Sequence, residues 1–141
     1  MKRKASAVWQ GGLKDGKGTL STPDSGVLAD TPYSFGTRFE QARGTNPEEL
    51  IGAAHAGCFS MAFSGQLDAA NLKAERIETT ATVAMEKTDA GFTVTEVHLE
   101  MSAKVPGASQ EAFDKAANAA KSGCPISRLL NAKITLNARL L

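Results

Sequence analysis

Aromatic residues are scarce in this chain: one Trp, one Tyr and six Phe among 141 residues, too few to build a base-stacking surface for nucleic acid. Charge of one sign is lacking as well. Lys plus Arg number 16 against 15 Asp plus Glu, a net charge of +1, which removes the electrostatic case for nucleic acid or an anionic membrane. No apolar run approaches the ~18 residues of a membrane-spanning helix. The basic start Met1-Lys2-Arg3-Lys4 has no apolar stretch behind it, because Ala5 to Gly12 is mixed; it does not read as a secretory signal. Cysteine is nearly absent, Cys58 and Cys124 alone. The chain reads as cytoplasmic, where a structural bridge would be kept reduced, so the two cysteines are either inert packing residues or a redox pair.

What is present is globular material, 42% hydrophobic and 22% charged, in a length that suits a single domain over residues 1–141. Ala7, Trp9 and Leu13 lead into Asp15-Gly16, a hairpin turn signal, and Gly18 to Thr22 returns as a strand. Tyr33, Phe35, Thr37 and Phe39 alternate with Ser34, Gly36, Arg38 and Glu40, which predicts a half-buried strand with Arg38 pointing away from its aromatic face. Asn46-Pro47-Glu48-Glu49 then supplies an N-cap, Pro at the first helical position and Glu to close a capping box. From there to Asp68 no charge interrupts the helix. A helix apolar on every side is buried on every side, which a single chain of this size would struggle to achieve, so an oligomer with this helix near its interface is expected.

Period two resumes at Ile77, Thr79, Ala81, Val83 and Met85. After the Asp89-Ala90-Gly91 turn, Phe92 and Val94 give way to Val97, Leu99, Met101, Ala103 and Val105, a phase slip that predicts a bulge near Thr95-Glu96. Ser109 caps a second helix, Gly123 stops it, and Cys124-Pro125 opens a short third helix. Ile134 to Leu140 makes a last strand. The expectation is an α+β fold with strands paired in hairpins.

Several sites compete for the chemistry. Gly11, Gly16 and Lys17 nearly spell a phosphate-binding loop, but Gly18 replaces the required hydroxyl and the stretch reads as a hairpin. His55 and Cys58 are one turn apart, yet His98 falls on a solvent-facing strand set, and the close cysteine spacing of a zinc site is missing. Cys58 suits a small apolar packing residue on an Ala/Gly-rich helix. Cys124 sits at a helix N-terminus, which favours a thiolate; Cys58, about three turns into its own helix, gains little from that dipole and would need a cation to react.

Arg38 within Phe35-Gly36-Thr37-Arg38-Phe39-Glu40, the run Gly44-Thr45-Asn46-Pro47-Glu48-Glu49-Leu50-Ile51-Gly52-Ala53-Ala54-His55-Ala56-Gly57-Cys58-Phe59-Ser60-Met61, and Gly123-Cys124-Pro125-Ile126-Ser127 together resemble the OsmC/Ohr family. The resemblance spans nearly the whole chain, and no motif position departs from it. It implies antiparallel sheets packed around a long buried central helix, in an intertwined homodimer with two sites at the subunit interface. It also implies a thiol peroxidase that reduces organic hydroperoxides, and hydrogen peroxide more weakly, without a cofactor. By that resemblance Cys58 matches the peroxidatic cysteine, Cys124 the resolving one, Arg38 the arginine that stabilises the thiolate and Glu48 the carboxylate that orients it. A dithiol, carried by lipoylated proteins, is the implied reductant. On dipole grounds Cys124 is the more acidic thiol; the resemblance reverses the order of attack.

Glu48 and Cys58 lie on one helix, separated by about 15 Å along the axis and about 80° around it. Glu48 therefore cannot touch the sulfur of its own chain. Either Arg38 spans the gap, or Arg38 and Glu48 serve the Cys58 of the other subunit, and the second is expected because it explains an obligate dimer. Arg128 reads as a solvated surface residue. Two rivals remain: an apolar ligand-binding module that merely contains thiols, and a thioesterase built on a helix wrapped by strands, for which the charge-free helix centre offers no carboxylate.

Overall fold

In a computed structural model that describes residues 1–141, the chain divides into two units, Met1–Leu50 and Ile51–Leu141. The first holds an antiparallel meander of β1 (Ser6–Gln10), β2 (Lys17–Ser21) and β3 (Thr31–Tyr33). Trp9, Gly18 and Tyr33 stand in one row across it. A Cβ at Gly18 would come within 2.5 Å of the Tyr33 ring and 2.7 Å of the Trp9 ring. Its absence lets the two rings meet over the sheet with centroids 5.4 Å apart, each covering the backbone the glycine leaves bare.

The alternation that predicts a strand over residues 33–40 is overturned. Only Tyr33 stays in β3, and Phe35–Phe39 forms a one-turn helix, α1. The cause is local: Ser34 Oγ accepts from the Thr37 N–H at 3.3 Å while Thr37 Oγ1 accepts from the Ser34 N–H at 2.9 Å, a reciprocal box that closes a helical start. Phe35 and Phe39 satisfy a four-residue helical spacing as well as a two-residue one, and in the helix their rings meet at 4.8 Å. Arg38 is correspondingly not turned from the aromatics; its guanidinium lies 5.2 Å from the centroid of the Phe39 ring, within cation–π range.

Helix α2 (Pro47–Ala69) starts where expected, with Asn46 Oδ1 accepting from the Glu49 N–H at 2.8 Å. The Glu49 carboxylate, expected to close the box on Asn46, accepts instead from Thr45 Oγ1 at 2.7 Å. Beyond its last residue, Ala69, the helix is closed by Asn71 in the left-handed region with φ 57°, as the Leu72 N–H bonds back to the Leu67 carbonyl, a Schellman closure. Burial within this chain follows one stripe, Gly52, His55, Phe59, Phe63 and Leu67, the spacing of a single helix face. The other face is open: Ala53, Ala54 and Gly57 are exposed and Met61 is 79% exposed. All-round burial is therefore not achieved by one chain.

That stripe packs on a second sheet, β4 (Arg76–Thr88), β5 (Gly91–Lys104) and β6 (Lys133–Leu140), in that order. β4 and β5 form the expected hairpin. Ala84 pairs with Glu96 and Met85 with Val94, so Thr95 is the extra residue of the foreseen bulge. β6 does not return as a hairpin arm but lies parallel to β5. Two helices, α3 (Gln110–Gly123) and α4 (Pro125–Leu129), intervene, and a helical crossover returns a strand in the same direction. The fold is α+β, with one antiparallel and one mixed sheet. Val97, Leu99, Met101 and Ala103 of β5 alternate inward against Phe59, Phe63 and Leu67 of α2 and Phe113, Ala116 and Ala120 of α3. The Phe63 and Phe113 rings meet edge to face at 5.3 Å.

Phe63 is fully buried at the centre of these contacts, so Phe63→Ala should cost about 3–5 kcal/mol. Urea unfolding should show this as a lowered midpoint with an unchanged slope; a loss below about 1 kcal/mol would mean this packing is not the core.

Candidate active site

The four residues singled out from the sequence fall into two pairs, one in each unit. In the C-terminal unit, α2 carries Cys58 on the flank of its buried stripe, partly exposed, while Cys124 is fully buried at the N-cap of α4. Both are free thiols. The Cys124 thiol donates to Cys58 Sγ with the sulfurs 2.8 Å apart, so a bond of ~2.05 Å needs a closure of only about 0.8 Å. The 66 positions that separate them are bridged because α3 ends directly in Cys124, whose N–H still bonds the Ala120 carbonyl. Pro125 follows with its fixed φ and no N–H.

Because Pro125 has no donor, the first free N–H of α4 belongs to Ile126, and it donates to the Cys58 sulfur. This contact was not foreseen, although Pro at the first helical position followed by an apolar residue was its trace in the sequence. One residue on, Ser127 Oγ lies 2.7 Å from His55 Nε2, and both side chains are buried. Burial lowers the His55 pKa, so the ring is neutral at pH 7. His98 is on the other face of β5, bonded to Thr135 and Glu100, and no three His, Cys, Asp or Glu side chains converge in a way that could hold a metal ion.

The Cys58 pKa is raised. Burial is the first cause, then the hydrogen bond shared with Cys124 and the repulsion between two sulfurs that would both ionise; the Ile126 N–H opposes them. No cation of the C-terminal unit figures among these influences.

The N-terminal unit holds the other pair. Arg38 Nε and Nη2 donate to Glu48 Oε1 at 3.0 and 2.7 Å, in the first turn of α2. Asn46 Nδ2 donates to the Thr37 carbonyl at 3.1 Å, which ties α1 to the start of α2. The guanidinium is thus held by a carboxylate fork and by the Phe39 ring. It faces a cavity of about 270 Å³ walled by Trp9, Leu13, Tyr33, Phe35 and Phe39. Arg128, on the exposed end of α4, takes no part in either pair.

A family model described as OsmC-like protein matches residues 40–139. Peroxiredoxin OsmC of Escherichia coli (strain K12) is 52% identical over 138 residues, covering 98% of this chain and 96% of that protein. The crystal structure of an OsmC-like protein from Mycoplasma pneumoniae superposes with a TM-score of 0.76 at 18% identity, over 100% of this chain and 98% of that one. That of the organic hydroperoxide resistance protein OhrB of Bacillus subtilis superposes with a TM-score of 0.69 at 26% identity, over 96% and 97%.

Replacing Cys124 by Ala removes two of the influences that raise Cys58 and opens its surroundings. The Cys58 titration, followed by thiolate absorbance, should therefore move to lower pH in Cys124→Ala than in the reduced protein. A move to higher pH would mean that Cys124 stabilises the Cys58 thiolate rather than its thiol.

Proposed function

The chain belongs to the OsmC-like protein family and is a cysteine-based peroxidase, and on that premise we propose that it reduces organic hydroperoxides through Cys58, with Cys124 resolving the product as a disulfide. The observation that carries this is the 2.8 Å approach of two free thiols of unequal exposure. Cys58, the partly exposed one, is the thiol a substrate reaches; Cys124, fully buried, stands behind it. The Cys58 thiolate attacks the terminal oxygen of the hydroperoxide. An S–O bond forms as O–O breaks, and the alkoxide takes a proton and leaves as an alcohol. Cys124 then attacks the Cys58 sulfur from the opposite side: S–S forms, S–O breaks, and hydroxide takes a proton and leaves as water. An external dithiol resets the pair by two exchanges and leaves as its own disulfide. Lipoylated proteins fit that part, and the cytoplasm is the compartment that supplies such reducing power.

A raised thiol pKa is a handicap for this chemistry, since the thiolate is the nucleophile. Arg38 is the group assigned to offset it, by favouring the thiolate and hydrogen-bonding the peroxide, and Glu48 holds its plane. The aromatic cavity beside Arg38 suits the organic part of the substrate. We assign Arg38 and Glu48 to the partner subunit's Cys58 in a homodimer. The open face of α2, with Ala53, Ala54, Gly57 and Met61, is the surface such a dimer would cover. Residues 1–141 are taken as one domain of that dimer, and no cofactor is invoked.

One equivalent of cumene hydroperoxide should convert the reduced protein to a Cys58–Cys124 disulfide by intact mass and peptide mapping, and Cys124→Ser should trap Cys58 as sulfenic acid. Survival of both thiols would leave an apolar binding module. Arg38→Met should slow peroxide reduction about 10²–10³-fold, the scale for losing one charge-stabilising donor. Mixed dimers of Arg38→Met with Cys58→Ser test the assignment across subunits. Service in trans leaves one intact site and recovers activity, whereas service within a chain leaves none.

A further inference from the structure

Helix α4 cannot hold itself in place. It is five residues long, its N-cap Cys124 makes no side-chain capping bond, and Leu129 is exposed; isolated helices of this length do not persist. Its one buried side chain is Ser127. Ser127 bonds His55, a fully buried residue of α2 whose Nδ1 has no hydrogen-bond partner. Each is therefore the other's only side-chain partner, and the pair is costly. An unpaired buried ring nitrogen carries its desolvation penalty, whereas apolar groups of similar shape would be near neutral. Stability alone does not explain it.

The spacing does. His55 precedes Cys58 by three residues on α2, and Ser127 follows Cys124 by three on α4, about one helical turn in each case. The 2.7 Å His55–Ser127 bond and the 2.8 Å sulfur contact are thus two rungs between the same two helices. The sulfur rung, with the Ile126 N–H also on Cys58 and the Ile126 side chain against the core, sets the distance; the second rung sets the rotation of α4 about it. We propose that His55 and Ser127 are positioning residues of the dithiol centre, and that their hydrogen bond holds Cys124 within bonding reach of Cys58 and so sets the centre's reduction potential. The couple is two thiols against one disulfide, two protons and two electrons. The closer the thiols are held, the higher their effective concentration and the more reducing the couple.

The inference deepens the two-cysteine reading, but its test needs no hydroperoxide. The full-length protein is equilibrated with mixtures of reduced and oxidised dithiothreitol, and the disulfide fraction is read by mass after alkylation. Ser127→Ala should lower the effective thiol concentration at least tenfold, raising the potential by about 30 mV or more. Ser127→Thr, which keeps the hydroxyl, should remain near the parent. His55→Leu combined with Ser127→Ala removes both polar groups, and should recover much of the stability lost in Ser127→Ala while keeping the raised potential. A merely structural role predicts the converse: unfolding midpoints move and the potential does not. Potentials within about 10 mV of the parent in both Ala-containing variants would overturn the proposal, as would failure of the parent to form the disulfide with oxidised dithiothreitol. Loss of peroxide reduction with an intact potential shift would count against the peroxidase reading alone.

Discussion

The contact between the middle of α2 and the N-terminus of α4 is the constraint around which the C-terminal unit is arranged. Two residues 66 positions apart bring their sulfurs to 2.8 Å because α3 delivers the chain to Cys124 and Pro125 turns it at once into a new helix. A flexible loop closing over that separation would lose about 1.5RT for each e-fold of length. Here the cost is met within the core, where Phe113, Ala116 and Ala120 of α3 already lie against Phe59 and Phe63 of α2. The same seam adds the Ile126 N–H to the Cys58 sulfur and the Ser127 hydroxyl to His55. Three of four successive α4 residues, starting at its cap, thereby contact the face of α2 that bears the thiol.

Electrostatics pulls against this packing. Burial and the second sulfur raise the Cys58 pKa, and a single backbone N–H opposes them. The guanidinium assigned to correct the imbalance is prepared elsewhere in the chain, with its plane fixed by Glu48 and the Phe39 ring. An arginine is suited to that task because it keeps its charge when partly desolvated and offers a rigid fork of donors. The dithiol lies in one unit and the oriented cation in the other, and one face of α2 is left open.

Much of the fold was legible in local patterns. Asn46 and Ser109 cap the helices they were expected to cap, and the phase slip in β5 located Thr95 as a bulge, because caps and pleats depend on neighbours a few residues away. The failures have physical causes of the same scale or larger. Residues 35–39 carry apolar spacing compatible with strand and helix alike, and a serine–threonine box decided between them. The direction of β6 was legible too, since two helices before it imply a crossover, but alternation alone is blind to strand direction.

The sequence by itself determined the candidate residues: two cysteines, one arginine and one glutamate within distinctive motifs, and a charge-free helix too apolar for one chain to bury. Only the tertiary structure decided what each thiol experiences. The helix-dipole argument considers each cysteine on its own helix only. In the fold, the N-terminus of α4 is turned onto Cys58, Cys124 is sealed behind it, and His55 is engaged by Ser127. Exposure, hydrogen-bond partners and proton affinity belong to the space between elements, which no one-dimensional pattern encodes.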